Sequence, residues 1–182
     1  MEYINRIFSY DPSSPMIFTR FFFWGFFAVV LLGYSLISKK ITFRSLYLLV
    51  LSLFFYYKSS GFFFFLIIFS TFVDFYIGKF IYASQKQNVR RLLLGLSVFV
   101  NLLLLSYFKY TFFFTQAIND MFGTSFIAKD YLSEFTNLLT GSHFDTAKIF
   151  LPVGISFFTF QTMSYTLDIF NRKLEPVKSL ID

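Results

Sequence analysis

The sequence predicts an all-α polytopic membrane protein with about five transmembrane helices, forming part of a larger multi-helix bundle. Of its 182 residues, 56% are hydrophobic and 25% aromatic, and the mean hydropathy is +0.63, well above a soluble domain of this size. The apolar residues fall in runs long enough to cross the hydrocarbon core as helices, joined by short connections rich in Lys and Arg. Cysteine is absent, which removes disulfides, thiolate metal sites and covalent Cys chemistry from this stretch. A single histidine, His143, excludes a local two-histidine metal site. No cluster implies a metal or a bound cofactor.

The formal charge of +6 would suit a nucleic acid, but the basic residues lie beside apolar segments, where membrane topology alone puts them. No nucleic-acid partner is expected. The partner that the composition does imply is the lipid bilayer.

In chain order, residues 1–18 mix Glu2, Arg6, Asp11, Pro12 and Pro15 with scattered apolar residues and lack a basic start, which argues against a cleaved signal peptide. The first span covers 19–37 and the second 41–57, with Arg44 able to extend its head group to the interface. Lys58, Ser59, Ser60 and Gly61 predict a tight turn. The third span, 62–82, carries Asp74 and, one turn on, Gly78. A carboxylate at that depth is expected to be partnered inside the bundle before it is read as a polar path.

After the basic loop with Lys79, Lys86, Arg90 and Arg91 comes a fourth span, 92–114. Ser97 and Asn101 lie four apart on one face of it, and Asn101 is expected to join helices. The YFKY run at 107–110 predicts an interfacial aromatic belt around Lys109. Residues 116–148 read as an external loop with short amphipathic or interfacial helices, and His143 in it as solvated. No fixed-period repeat or second domain is apparent, so 1–182 reads as one transmembrane domain.

The last span, 150–170, is the most informative. In LPVGISFFTFQTMSYTLDIFNR, Gln161, Tyr165, Asp168 and Arg172 stand four, three and four apart, which puts them on one helical face. Phe157, Phe158, Met163, Leu167 and Phe170 occupy the opposite side. That polar stripe should face protein or water, with Arg172 as a partner for Asp168 one turn away. Pro152 is expected in the first helical turn, and Gly154 where backbone or ligand approaches closely.

Charge counts give an orientation. Residues 38–44 hold three basic residues, the 58–61 turn one and 79–91 four, whereas 109–148 nets minus one. Basic loops stay cytosolic, so the amino terminus is expected outside and the carboxyl terminus inside. On these features alone, a transporter, a channel, an enzyme or a scaffold all fit. A small transporter or channel subunit using Asp74 and Asp168 as ion or proton sites is the leading alternative to an enzyme.

Resemblance favours the enzyme. LPVGISFFTFQTMSYTLDIFNRK is similar to the segment LPxGISFFTFQxxSYxxDxxR of bacterial membrane-bound O-acyltransferases, in the branch of the alginate O-acetylation proteins and their D-alanyl-transfer relatives. NLLLLSYFKYTFFF, residues 101–114, resembles the family's segment at its own place, so two separated motifs agree in order.

The resemblance implies transfer of an acyl group, chiefly acetyl, to hydroxyls of an exported polysaccharide or cell-envelope polymer, in the bacterial cytoplasmic membrane. The donor would be a cytosolic thioester, acetyl-coenzyme A or an acyl carrier protein, and external acetylation proteins would be partners. The family's base is a histidine of a later helix, with a second histidine or an Asn nearby. The chain is therefore expected to be an amino-terminal portion of a longer protein, inactive alone, with no catalytic residue of its own. Gln161, Tyr165 and Asp168 would line or brace the tunnel and Arg172 fix its cytosolic end.

Overall fold

A computed structural model describes residues 10–11, 14–37 and 41–180, and among them it is all-helical, with no strand. Lys39 and Lys40, two of the three cations counted in the 38–44 connection, lie outside the described residues, as do Glu2, Arg6 and Pro12. The chain divides into two compact units, one running to Ile68 and resuming at Val177, the other Phe69–Pro176.

The first unit holds α1 (Phe21–Leu36) and α2 (Ile41–Ser60). They pack through rings: Phe23 meets Phe55 edge-on at 5.5 Å and Phe26 lies 5.8 Å from Phe54. Tyr47 donates its hydroxyl to the Val30 carbonyl at 3.1 Å and fills the space that a Cβ on Gly33 would need, so a glycine is required there. Arg44 lies 4.8 Å over the Tyr34 ring. The expected turn after α2 is present, with Gly61 at φ +59° opening a short 3-10 turn, Gly61–Phe63. Lys58, Ser59 and Ser60 are buried there. The Ser59 hydroxyl donates to the Met16 carbonyl at 2.7 Å, and the Met16 amide donates to the Lys58 carbonyl at 3.0 Å. α3 (Phe64–Ala83) follows.

In the second unit, the later turns of α3 are joined by α4 (Gln87–Leu105), a π-helical turn at Ser106–Tyr110, α5 (Thr111–Phe122), α6 (Tyr131–Thr140) and α7 (Ile155–Phe170). α4 packs chiefly on α7. Ile77, Ile81 and Ile169 form the apolar core, flanked by Val73, Leu93, Leu94, Tyr165 and Phe170. Close approach of α3 and α7 depends on Gly78, where a Cβ would come 2.9 Å from Ile169 Cδ1 and 3.1 Å from Tyr165 Cε1.

Two stretches, Ile41–Ala83 and Gln87–Phe122, are long and apolar enough to cross a membrane, while Phe21–Leu36 is shorter. The helix that carries the fourth expected span starts at Gln87 and continues past 114, and YFKY lies in its π-helical turn. Within the expected external loop, α5 and α6 end alike. Each stops at a left-handed glycine, Gly123 at φ +63° and Gly141 at φ +66°. Behind each, an asparagine amide clasps a phenylalanine seven residues on: Asn119 pairs with both backbone groups of Phe126, and Asn137 with both of Phe144, all at 2.9 Å. NDMFGTSF and NLLTGSHF are therefore the same eight-residue closure, a local recurrence that reading for fixed-period repeats passes over.

Candidate functional site

Three helices of the second unit meet around Asp74, which is 1% exposed. Both of its oxygens are engaged: the Ser97 hydroxyl donates to Oδ1 at 2.5 Å, and Asn101 Nδ2 donates to Oδ2 at 2.7 Å. Asn101 Nδ2 also donates to the Ser97 carbonyl one turn back at 3.0 Å. The Asn101 oxygen accepts from the Ser70 and Thr162 hydroxyls, each at 3.0 Å. Thr166 on α7 closes the ring, its hydroxyl 3.0 Å from that of Ser97. Six side chains from α3, α4 and α7 thus form one connected polar cluster in an apolar surrounding, where an unsatisfied polar group is costly.

The structure brings Asp74, Ser97 and Asn101 together, as expected of a partnered carboxylate. It treats the last helix differently. Its buried positions are Ile155, Phe158, Thr159, Thr166 and Ile169. Gln161 is exposed, and Tyr165 and Asp168 are half-buried. The polar face turned inward is Thr159, Thr162 and Thr166, one residue round from the expected stripe, and Phe158 is buried instead of facing outward. Spacings of three and four in these threonines were the available signal.

The expected Asp168–Arg172 pair does not form. α7 ends at Phe170 with Asn171 as its cap, and Arg172 takes a left-handed backbone at φ +60°. It has left the helical path, so the one-turn relation is lost. Its Nη1 donates to the Tyr82 carbonyl at 3.2 Å, and its guanidinium lies 5.0 Å over the Tyr82 ring. Asp168 contributes its carbonyl to the Lys173 amide at 2.9 Å.

The start of α7 also differs. Pro152 is buried but precedes the helix, its carbonyl accepting from the Ile155 amide at 3.3 Å. Gly154 is the N-cap, at φ +74°. No atom lies within 4 Å of where its Cβ would be. Glycine is needed there for the left-handed backbone, not for close approach.

A second buried carboxylate went unnoticed in the sequence. Asp130 is 0% exposed and caps α6. Its Oδ1 accepts from the Ser133 amide at 3.0 Å and the Tyr107 hydroxyl at 2.9 Å. Its Oδ2 accepts from the Ser133 hydroxyl at 2.6 Å and the Phe150 amide at 2.8 Å. Tyr107 sits in the π-helical turn and also accepts from the Leu132 amide at 3.1 Å. One side chain therefore ties the π turn, α6 and the lead-in to α7. An Asp just before an apolar run was the signal. His143 is exposed, beside an open depression of about 690 Å3 lined by Tyr131, Glu134 and Phe135 among others.

Neither cluster has the layout of a catalytic centre. Every carboxylate oxygen already accepts hydrogen bonds from fixed neighbours, and the arrangement holds helices in register.

Comparison with known proteins gives the chain its relatives. It is 32% identical over 163 residues, 87% of its length, to a peptidoglycan O-acetyltransferase of Helicobacter pylori, covering 28% of that protein. It is 31% identical over 170 residues, 92% of its length, to a probable alginate O-acetylase of Pseudomonas aeruginosa, covering 29% of it. A probable alginate O-acetylase of Azotobacter vinelandii is 30% identical over 169 residues, with 31% of it covered. The chain thus spans about three-tenths of the length of the curated relatives it matches. No family model and no solved structure matches it.

Proposed function

Because this chain is a relative of bacterial alginate and peptidoglycan O-acetyltransferases along some nine-tenths of its length, we propose that it supplies wall helices of a membrane-bound O-acyltransferase. The reaction moves an acetyl group from a cytosolic thioester donor, acetyl-coenzyme A or an acyl carrier protein, to hydroxyls of an exported polysaccharide or cell-envelope polymer. The sequence kinship carries this reading, and the two motifs at 101–114 and 151–173 support it.

Acyl transfer to a hydroxyl needs a base to take the hydroxyl proton and donors for the oxyanion. The resemblance assigns the base to a histidine of a later helix. Asp74 and Asp130 act instead as positioning groups. The Asp74 cluster fixes α3, α4 and α7 side by side, and Asp130 fixes where α7 begins. Gln161 and Asp168, left at the surface of the second unit, are then available to line a tunnel or meet further helices.

The 36 residues of Gln87–Phe122 span about 54 Å at about 1.5 Å per residue, more than the hydrocarbon core of about 30 Å. The part beyond the π turn therefore extends to the outer surface, with α6 beside it, in a five-span arrangement with the amino terminus outside and the carboxyl terminus cytosolic. External acetylation proteins would meet the chain on this side.

Expression of the full-length protein in a bacterium whose envelope polymers lack O-acetyl groups tests the reading. Base-labile acetate is expected on peptidoglycan or on an exported polysaccharide. Normal protein levels in the membrane with no acetate on either polymer would refute it. Asp168→Asn in the same protein, if transfer and membrane level both stay unchanged, removes Asp168 from the tunnel.

A further inference from the structure

We propose that the end of the second unit where α3 and α7 finish and α4 begins is a phosphate-binding site built from Lys86, Arg90, Arg91, Arg172 and Lys173. Two of these cations cross-link the helix ends. Arg172, beyond α7, donates to the Tyr82 carbonyl at the end of α3 and stacks on its ring at 5.0 Å. Arg90, at the start of α4, donates to the Phe170 carbonyl at the end of α7 and lies 5.1 Å over the Phe170 ring. Lys86 and Arg91 flank Arg90 in the sequence and Lys173 follows Arg172, all three with exposed side chains.

Glu175 is nearby, and it accepts from the Tyr82 hydroxyl at 3.3 Å. Among the described residues none of the five cations is in an ion pair with a carboxylate. Arg90 Nε is buried with no hydrogen-bond partner. Five positive charges with no ion-pair partner among the described residues repel one another unless an anion joins them.

The rule that basic loops stay cytosolic explains a high count of Lys and Arg here. It does not require fixed guanidiniums. Arg172 is held in a left-handed backbone at φ +60°, a conformation that a non-glycine residue keeps only when its surroundings enforce it. Both guanidiniums are anchored on a backbone carbonyl and by one face on a ring, and Arg90 Nη1 also donates to Gln87 Oε1 at 3.2 Å, so Arg90 is held in place while the exposed Arg172 keeps N–H groups for a ligand. Planar forks fixed in this way suit phosphate oxygens, and a multiply charged phosphate balances five cations better than a single carboxylate does. The phosphate has two sources: the phosphate-bearing handle of a soluble thioester donor, or the head group of an anionic phospholipid. Only the assignment to the donor rests on the O-acyltransferase reading.

The test uses the full-length protein in nanodiscs of pure phosphatidylcholine. Inorganic pyrophosphate is expected to bind and raise the apparent Tm. The triple variant Lys86→Gln/Arg91→Gln/Lys173→Gln, which removes only exposed cations and spares both cross-links, should weaken binding by about tenfold or more. The charge-keeping triple exchange Lys86→Arg/Arg91→Lys/Lys173→Arg should preserve it. If coenzyme A competes with pyrophosphate, the source is the donor. If only discs containing phosphatidylglycerol raise the Tm, and the triple variant loses that response, the source is the lipid. The site is overturned if neither pyrophosphate nor phosphatidylglycerol affects the wild type, or if the triple variant responds equally. Acetyl transfer measured in parallel separates the two ideas, because phosphate binding without any transfer sinks the enzyme reading and leaves the site standing.

Discussion

Asp74 and Asp130 are both buried carboxylates with every oxygen engaged, yet their donors differ in kind. Asp74 is held entirely by side chains, the Ser97 hydroxyl and the Asn101 amide. Asp130 is held by two backbone amides, those of Ser133 and Phe150, together with two hydroxyls. A hydroxyl can turn round and become an acceptor, whereas a backbone N–H cannot. The first cluster should therefore tolerate a change of hydrogen-bond polarity that the second cannot.

The largest expected effect is on Asp130. In Asp130→Asn, one new NH2 group must face either the Ser133 or the Phe150 amide. That orphans a buried donor pair at a cost of about 3 kcal/mol, read as a drop in apparent Tm of the full-length protein in detergent and a fall in its membrane level. A variant as stable as wild type would show that the backbone donors are not essential.

Asp74→Asn should cost only about 1 kcal/mol, because the Ser97 hydroxyl can accept from the new amide and donate to Thr166 Oγ1, 3.0 Å away. The comparison sharpens in a double-mutant cycle. In a Thr166→Val background Ser97 loses that outlet, and Asp74→Asn should cost about 1 kcal/mol more than it does alone. Strict additivity would break the argument from reversible hydroxyls.

Tyr107→Phe removes one of Asp130's four donors and leaves the backbone pair intact, so about 1 kcal/mol is expected, again from thermal unfolding. It also frees the Leu132 amide that Tyr107 accepts from, and hydrogen exchange should rise at Leu132 and not at Asn101. The smallest effect is expected at Gly78→Ala. The nearest atoms to the added methyl are the ends of Ile169 and Tyr165, which yield partly, and alanine's better helix propensity, worth about 1 kcal/mol, offsets part of the crowding.

The difference between the clusters also explains what was visible in the sequence. Asp74, Ser97 and Asn101 stood out because charged and amide groups are conspicuous in apolar runs, and the four-residue spacing of Ser97 and Asn101 predicted their shared face. Thr162 and Thr166 did not stand out. A threonine on a helix can satisfy its hydroxyl on its own backbone, as Thr166 does on the Met163 carbonyl at 3.0 Å, so it leaves little mark on hydropathy. Weighing charge above hydroxyls put the expected polar stripe on Gln161, Tyr165 and Asp168, one residue round from Thr162 and Thr166. Asp130 was hidden by its setting in a mixed loop, where acidic residues are ordinarily solvated.

The sequence by itself determined that the chain is built of long apolar helices, the order of those helices, and, through LPVGISFFTFQTMSYTLDIFNRK and NLLLLSYFKYTFFF, its kinship with O-acetyltransferases. These depend on composition and local spacing. Only the tertiary structure decided which face of α7 turns inward, that Arg172 leaves Asp168 for Tyr82, and that Asp130 anchors the lead-in to α7. Periodicity shows that a helix has faces. The neighbouring helices decide which face is buried, because the partners that satisfy a polar side chain come from segments distant in the chain.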